Sequence, residues 1–138
     1  MKRQPRFLTT IDRRRLGTVL QNVHEHGTGL RAHVHALEET LEQAHGIDPT
    51  QIPHDVVTMN STVELRDIES NDVETYTLAY PGDADIRKDR ISVLAPGGTA
   101  ILGSAIGDVV KIKAPSGNRH VRVEAIHFQP ERAGEFDL

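Results

Sequence analysis

Apolar residues follow two different periods along this chain, and the change falls near Pro49. Before it, Leu16, Val19, Leu20 and Val23 recur at helical spacing. Leu30, Val34, Leu37, Leu41 and Ala44 then recur in alternating steps of four and three. That second pattern is the 3.5-residue repeat of a coiled-coil seam. Gly27-Thr28-Gly29 separates the two stripes and reads as a helix stop followed by an N-cap at Thr28. The expectation is a short antiparallel helical hairpin with arms of about 16 residues, roughly 24 Å each. Gly46 should end the second helix, and Pro49 and Pro53 prevent its resumption.

After Pro53 the period becomes two. Val57, Met59, Val63 and Leu65 share a face, as do Tyr76, Leu78 and Tyr80, and then Val110 and Ile112. In the last strand Val121 and Val123 are out of phase with Ile126 and Phe128, which predicts a bulge near Glu124-Ala125. Ser70-Asn71-Asp72 and Pro115-Ser116-Gly117-Asn118 are turn sequences. The fold class is therefore α+β. Residues 1–50 form the helical hairpin, and residues 51–138 form an antiparallel sheet domain with its own core and one short covering helix. The polar tail from Gln129 to Leu138 is expected to be loosely ordered.

The covering element is encoded between Arg90 and Asp108. Ile91 and Val93 alternate as in a strand, and Pro96 ends it because it has no N–H for a ladder. Gly97 and Gly98 supply backbone freedom, Thr99 to Leu102 form a helical turn, and Gly103 and Gly107 let the chain leave. Leu94-Ala95-Pro96 places apolar residues at a loop, which suits a contact patch.

Composition narrows the function. The chain has 138 residues and no Cys, so there is neither a disulfide framework nor a thiolate metal site. It has no apolar run near twenty residues and no signal-like N-terminus, which makes a cytoplasmic, non-membrane protein the expectation. A net charge of -4 and only five aromatic residues argue against direct nucleic-acid binding.

The order Ile91-Ser92-Val93, Pro96-x-Gly98-x-Ala100-x-Leu102, Gly107-Asp108 resembles the C-terminal domain of the bacterial Gre transcript-cleavage factors. Pro53 to Ser61 and Phe128 to Phe136 are similar to the family of the regulator of nucleoside diphosphate kinase. The resemblance implies an FKBP-like C-terminal domain that docks at the rim of the RNA polymerase secondary channel. It assigns the docking loop to Ser92, Leu94, Ala95, Pro96, Gly97 and Gly98, and the hairpin tip to His24, Glu25, His26 and Thr28. It further implies a non-catalytic regulator that competes with Gre factors and governs nucleoside diphosphate kinase. Whether that control is direct or transcriptional stays open. Ala95 and Ser104 depart from the Ser and Lys that Gre factors usually carry there.

The resemblance also raises transcript cleavage, in which tip carboxylates hold a catalytic Mg²⁺. Mg²⁺ wants hard oxygen ligands, and between Val23 and Ala32 the only carboxylate is Glu25. Glu38 and Glu39 lie more than two helical turns along the second arm. His24, His26, His33 and His35 invite a metal reading, but residues two apart on a helix diverge and no acid completes a site. No metal or cofactor is expected. Prolyl isomerase activity would need an aromatic-lined pocket, which three Phe and two Tyr scarcely supply. Arg13-Arg14-Arg15 opposes the helix dipole by ~0.3–1 kcal/mol each, a feature of a solvated face or a contact with an acidic partner.

Overall fold

The computed structural model describes residues 6–26, 31–114 and 117–136. It is a mixed α+β fold with two sheets and three α-helices among these residues. Strand β1 (Phe7–Thr9) leads into α1 (Thr10–His26), and α2 (Arg31–Gln43) leads into β2 (His45–Ile47). Thr9 caps α1: its Oγ1 accepts from the Asp12 backbone N–H at 2.9 Å. The two helices pack through Leu16, Leu20 and Leu37, and His24 lies 3.6 Å from Glu38. The Gly27-Thr28-Gly29 connection expected between them falls outside the described residues.

Helix α2 stops three residues before Gly46. His45, Gly46 and Ile47 instead pair in parallel with Phe7, Leu8 and Thr9. Two three-residue strands separated by a helical segment carry no period that could be read from sequence. They pair because the helices bring their ends together.

The second sheet has the order β5-β4-β3-β7-β6, built from β3 (Thr62–Asp67), β4 (Val73–Ala79), β5 (Arg90–Ser92), β6 (Val109–Ala114) and β7 (Gly117–Phe128). It is not wholly antiparallel, because β5 runs parallel to β4, with Thr77 opposite Arg90. The expected bulge is present at Glu124, between the Glu64–Ala125 and Leu65–Val123 pairs. A second slip at His127 precedes Phe128. The first of them returns Ile126 to the core face. Val57 and Met59 are buried but precede the strand, since Asn60 adopts φ 66° and turns the chain.

Helix α3 (Pro96–Ile101) covers the apolar face of this sheet. The two glycines in its first turn serve space rather than unusual angles, for neither has positive φ. A Cβ on Gly98 would sit 2.1 Å from the Ser92 carbonyl oxygen. Past the helix, the left-handed positions are Gly103 and Gly107, at φ 77° and 96°.

One apolar cluster joins both halves of the chain. Leu8, Leu16, Leu37, Leu41 and Ala44 pack with Val57, Met59, Val63, Leu78, Val93, Ile101 and Leu102. The start of the tail is held in the fold rather than loosely ordered. The Gln129 side chain is fully buried, donating to the carbonyls of Pro53 (2.9 Å) and Val56 (2.7 Å). Glu131 accepts from Thr58 at 2.6 Å.

Two glycine-to-alanine substitutions should move stability in opposite directions, measured by urea denaturation. Gly98→Ala should destabilise by about 3 kcal/mol or more, because backbone must shift. Gly17→Ala, in mid-α1 with nothing near its would-be Cβ, should stabilise by about 0.5–1 kcal/mol.

Candidate functional site

The segment from Ser92 to Gly98 is held by a short relay of hydrogen bonds. Ser92 Oγ accepts from the Leu94 N–H at 3.1 Å, and the Ser92 carbonyl accepts from Ala95 N at 3.0 Å. Thr99 Oγ1 donates to the Val93 carbonyl at 2.5 Å. These bonds set Leu94, Ala95 and Pro96 at the surface, each half-buried, with Leu94 packed on the core. Gly97 and Gly98 are buried under them. Of the six residues expected in the docking loop, these two therefore act as spacers. Ser104 is buried as well, donating to the Ile101 carbonyl.

Beside this loop lies a cavity of about 290 Å³. Its floor is the sheet face at Leu65, Tyr76, Ile112 and Val121, and its wall is Ala95-Pro96-Gly97 with Ile91. Asp67, Asp72, Glu74 and Arg119 stand around the rim. Arg119 Nε bonds Asp67 Oδ2 at 3.0 Å. The Asp67 carboxyl lies below the usual range because it accepts from Ser70 N–H, with Arg119 and Glu69 N–H assisting. Tyr76 donates to Glu74 at 2.6 Å, which raises the Tyr76 hydroxyl to about 12. One cation is thus matched by one of three carboxylates, and the rim keeps a net negative charge. The cavity was not visible in the sequence, because its residues come from six separate segments.

At the far end of α1, Glu25 is exposed and accepts from Gln21 Nε2 at 3.2 Å. The His26 side chain and Thr28 lie outside the described residues. His24 faces Glu38, and His35 pairs with Glu39 along α2 at 2.9 Å. Among the described residues no group of three His, Asp or Glu is placed to hold a metal ion.

The group that joins α1 to the sheet is Asp12, only 2% exposed. Its Oδ2 accepts from Met59 N–H at 3.0 Å, and its Oδ1 from the Tyr80 hydroxyl at 3.3 Å. Burial pushes the carboxyl up to about 6, with Glu131 adding to the rise, while Met59 N–H, Tyr80 and Arg15 oppose it. Tyr80 is raised too, by burial and then by Asp12. Sequence reasoning passed over Asp12. Its signal was Thr9-x-x-Asp12, an acid in the first helical turn of an otherwise basic stretch.

Comparison with known proteins follows the same outline. Residues 52–128, more than half of the chain, match the family described as transcription elongation factor GreA/GreB, C-terminal. Along its full length the chain is 34% identical to a protein of Escherichia coli strain K12 named regulator of nucleoside diphosphate kinase, covering all of both chains. The chain belongs to the Gre-factor family, in the branch of that regulator. A GreA of Rhodospirillum rubrum is 31% identical over 99 residues, covering 72% of this chain and 63% of that one. Among solved structures, a GreA/GreB factor from Nitrosomonas europaea aligns with a TM-score of 0.73 and 35% identity, covering 91% of this chain and all of that one. A Gfh1 structure at 24% identity and TM-score 0.51 shares the fold. In this Gre-family chain, the matched region takes in the sheet, α3 and the cavity, and the full-length relative also spans α1 and α2.

Asp12 gives a pH prediction. Its folded pKa is raised above the unfolded value, so the native state holds more protons between about pH 4 and 6 and stability falls as pH rises through that window. Above it the ionised group costs on the order of 3 kcal/mol relative to the protonated one. Urea midpoints of Asp12→Asn and wild type should diverge across this window, the variant losing the downward slope. Parallel curves would place the carboxyl in a solvated setting.

Proposed function

We propose that this Gre-family chain is a non-catalytic transcription regulator that binds RNA polymerase at the secondary-channel rim and competes there with Gre factors. The observation that carries this reading is the full-length similarity to a protein named as a regulator, with no part of either chain left over. On this reading, residues 51–138 are the FKBP-like docking domain and residues 1–50 an antiparallel helical hairpin that enters or caps the channel. The protein works in the cytoplasm without a cofactor. Its influence on nucleoside diphosphate kinase runs through transcription.

The tip chemistry supports a non-cleaving role. A second Mg²⁺ at the polymerase centre needs carboxylates that converge on it. Glu25 is tied to Gln21, and the next acid along α2, Glu38, is directed to His24. A single carboxylate is a weak holder for an octahedral ion. Polymerase binding tested in competition with a Gre factor should show displacement of the Gre factor without stimulated RNA cleavage, and Glu25→Gln should leave both results unchanged. Stimulated cleavage that Glu25→Gln abolishes would make the chain a cleavage factor instead.

The docking loop can be tested without touching the core. Ala95 is half-buried at the start of α3, where an acidic side chain is tolerated by the helix. Ala95→Glu should weaken polymerase binding by about tenfold, a 1.4 kcal/mol change, at an unaltered melting temperature. Unchanged affinity would remove the loop from the interface.

A further inference from the structure

The outer side of β4 is only half used. β5 pairs with Thr77, Leu78 and Ala79 and stops there. Leu78 exchanges its bonds with the β3 side, its N–H donating to Ser61 and its carbonyl accepting from Asn60. Backbone groups alternate in direction along a strand, so Glu74 and Tyr76 also turn towards β3, while Val73, Thr75 and Thr77 turn outwards. Thr77 is satisfied by the Asp89 carbonyl at 2.8 Å. Val73 and Thr75 are exposed, and no strand lies beside them among the described residues.

An open edge is a template for another strand unless something protects it. The opposite edge of the sheet, β6, carries exposed Lys111 and Lys113. The open half of β4 carries Glu74, with Asp72 just before the strand, both exposed. Acidic side chains there repel a second copy of the same edge and favour a basic segment. The cavity is flush with this edge, since Glu74 and Tyr76 line it and Ile86, 69% exposed, stands over it. A strand laid along Val73 to Tyr76 would direct alternate side chains to the cavity face, as Glu74 and Tyr76 are directed.

We propose that the open half of β4 and the adjoining cavity form a docking site for an extended basic segment of a partner protein. The segment adds to the sheet as a strand. It places one apolar side chain between Tyr76, Ile86 and Pro96, and sets lysine or arginine against Asp72 and Glu74. Backbone pairing supplies affinity, while the cavity and the two carboxylates supply selectivity. The site does not require polymerase as the partner, so its test is independent of polymerase binding.

The test uses the full chain and two labelled, acetylated and amidated pentapeptides, Lys-Thr-Lys-Thr-Leu and Leu-Thr-Lys-Thr-Lys, followed by fluorescence anisotropy. Each sets its leucine and both lysines on one face, for one of the two strand directions. Amide hydrogen exchange at Val73 and Thr75 is followed with and without peptide. Saturable binding of one peptide with slowed exchange at both amides is expected. The Asp72→Lys/Glu74→Lys double variant, changed only at exposed positions, should lose about tenfold or more in affinity. The same peptide with glutamate for both lysines should fail to bind. The binding peptide, N-methylated on alternate amides, should bind less well in at least one of the two phases, since methylation removes the donors that pair with β4. Absence of saturable binding by both parent peptides would overturn the proposal, as would equal binding by the double variant. Undiminished binding by both N-methylated forms would overturn the strand geometry.

Discussion

Helix α3 lies so close to β5 at Gly98 that no side chain fits there, and much of the molecule depends on that approach. Gly98 meets the Ser92 carbonyl where any Cβ would collide. The contact lets a six-residue helix, too short to be stable alone, close the sheet with Ile101 and Thr99 buried beneath it. It also sets the height of Leu94, Ala95 and Pro96 above the sheet, and with it the wall of the cavity. Even β1 is involved, because Gly103, just past α3, lies against the Phe7 carbonyl while Arg6 bonds the Leu102 carbonyl at 2.8 Å.

The second organising feature is the way the helices meet the sheet. Leu16 and Leu37 continue the apolar core that Val57, Met59 and Leu78 begin. Asp12 sits at the same junction with a full set of hydrogen-bond donors but little solvent. A buried carboxylate contributes less to stability than an apolar residue of its size would, and more to geometry. Here it specifies which backbone amide and which tyrosine α1 must face. For a Gre-family protein whose helices and sheet are proposed to engage one large partner together, that fixed relation has a use. The tail strengthens it from the other side, through Gln129 and the Glu131–Thr58 bond.

The surface divides by charge in a way that composition hides. A net charge of -4 is spread over a chain whose α1 carries three consecutive arginines, Arg13 to Arg15, near its start. Asp67, Asp72 and Glu74 stand on the cavity rim, the last two at the open half of β4. The apolar cavity is therefore reached past carboxylates, and the arginine run near the start of α1 is basic. A partner surface complementary to both must itself be divided.

Local sequence determined a good part of this. The helical stripes around Leu16 and Leu37, the alternation in β4, β6 and β7, the bulge at Glu124 and the compact Pro96–Gly107 segment were all legible, because each rests on neighbours a few residues apart. The order of motifs in that segment was enough to indicate the family. Tertiary structure alone decided the rest. The β1–β2 pair, the parallel placement of β5, the burial of Asp12 and Gln129, and the cavity all join residues from distant segments. None of these leaves a period in the sequence. The role of Gly98 shows the boundary between the two: in the sequence it reads as backbone freedom, and only the folded chain shows that the Ser92 carbonyl leaves no room for a Cβ.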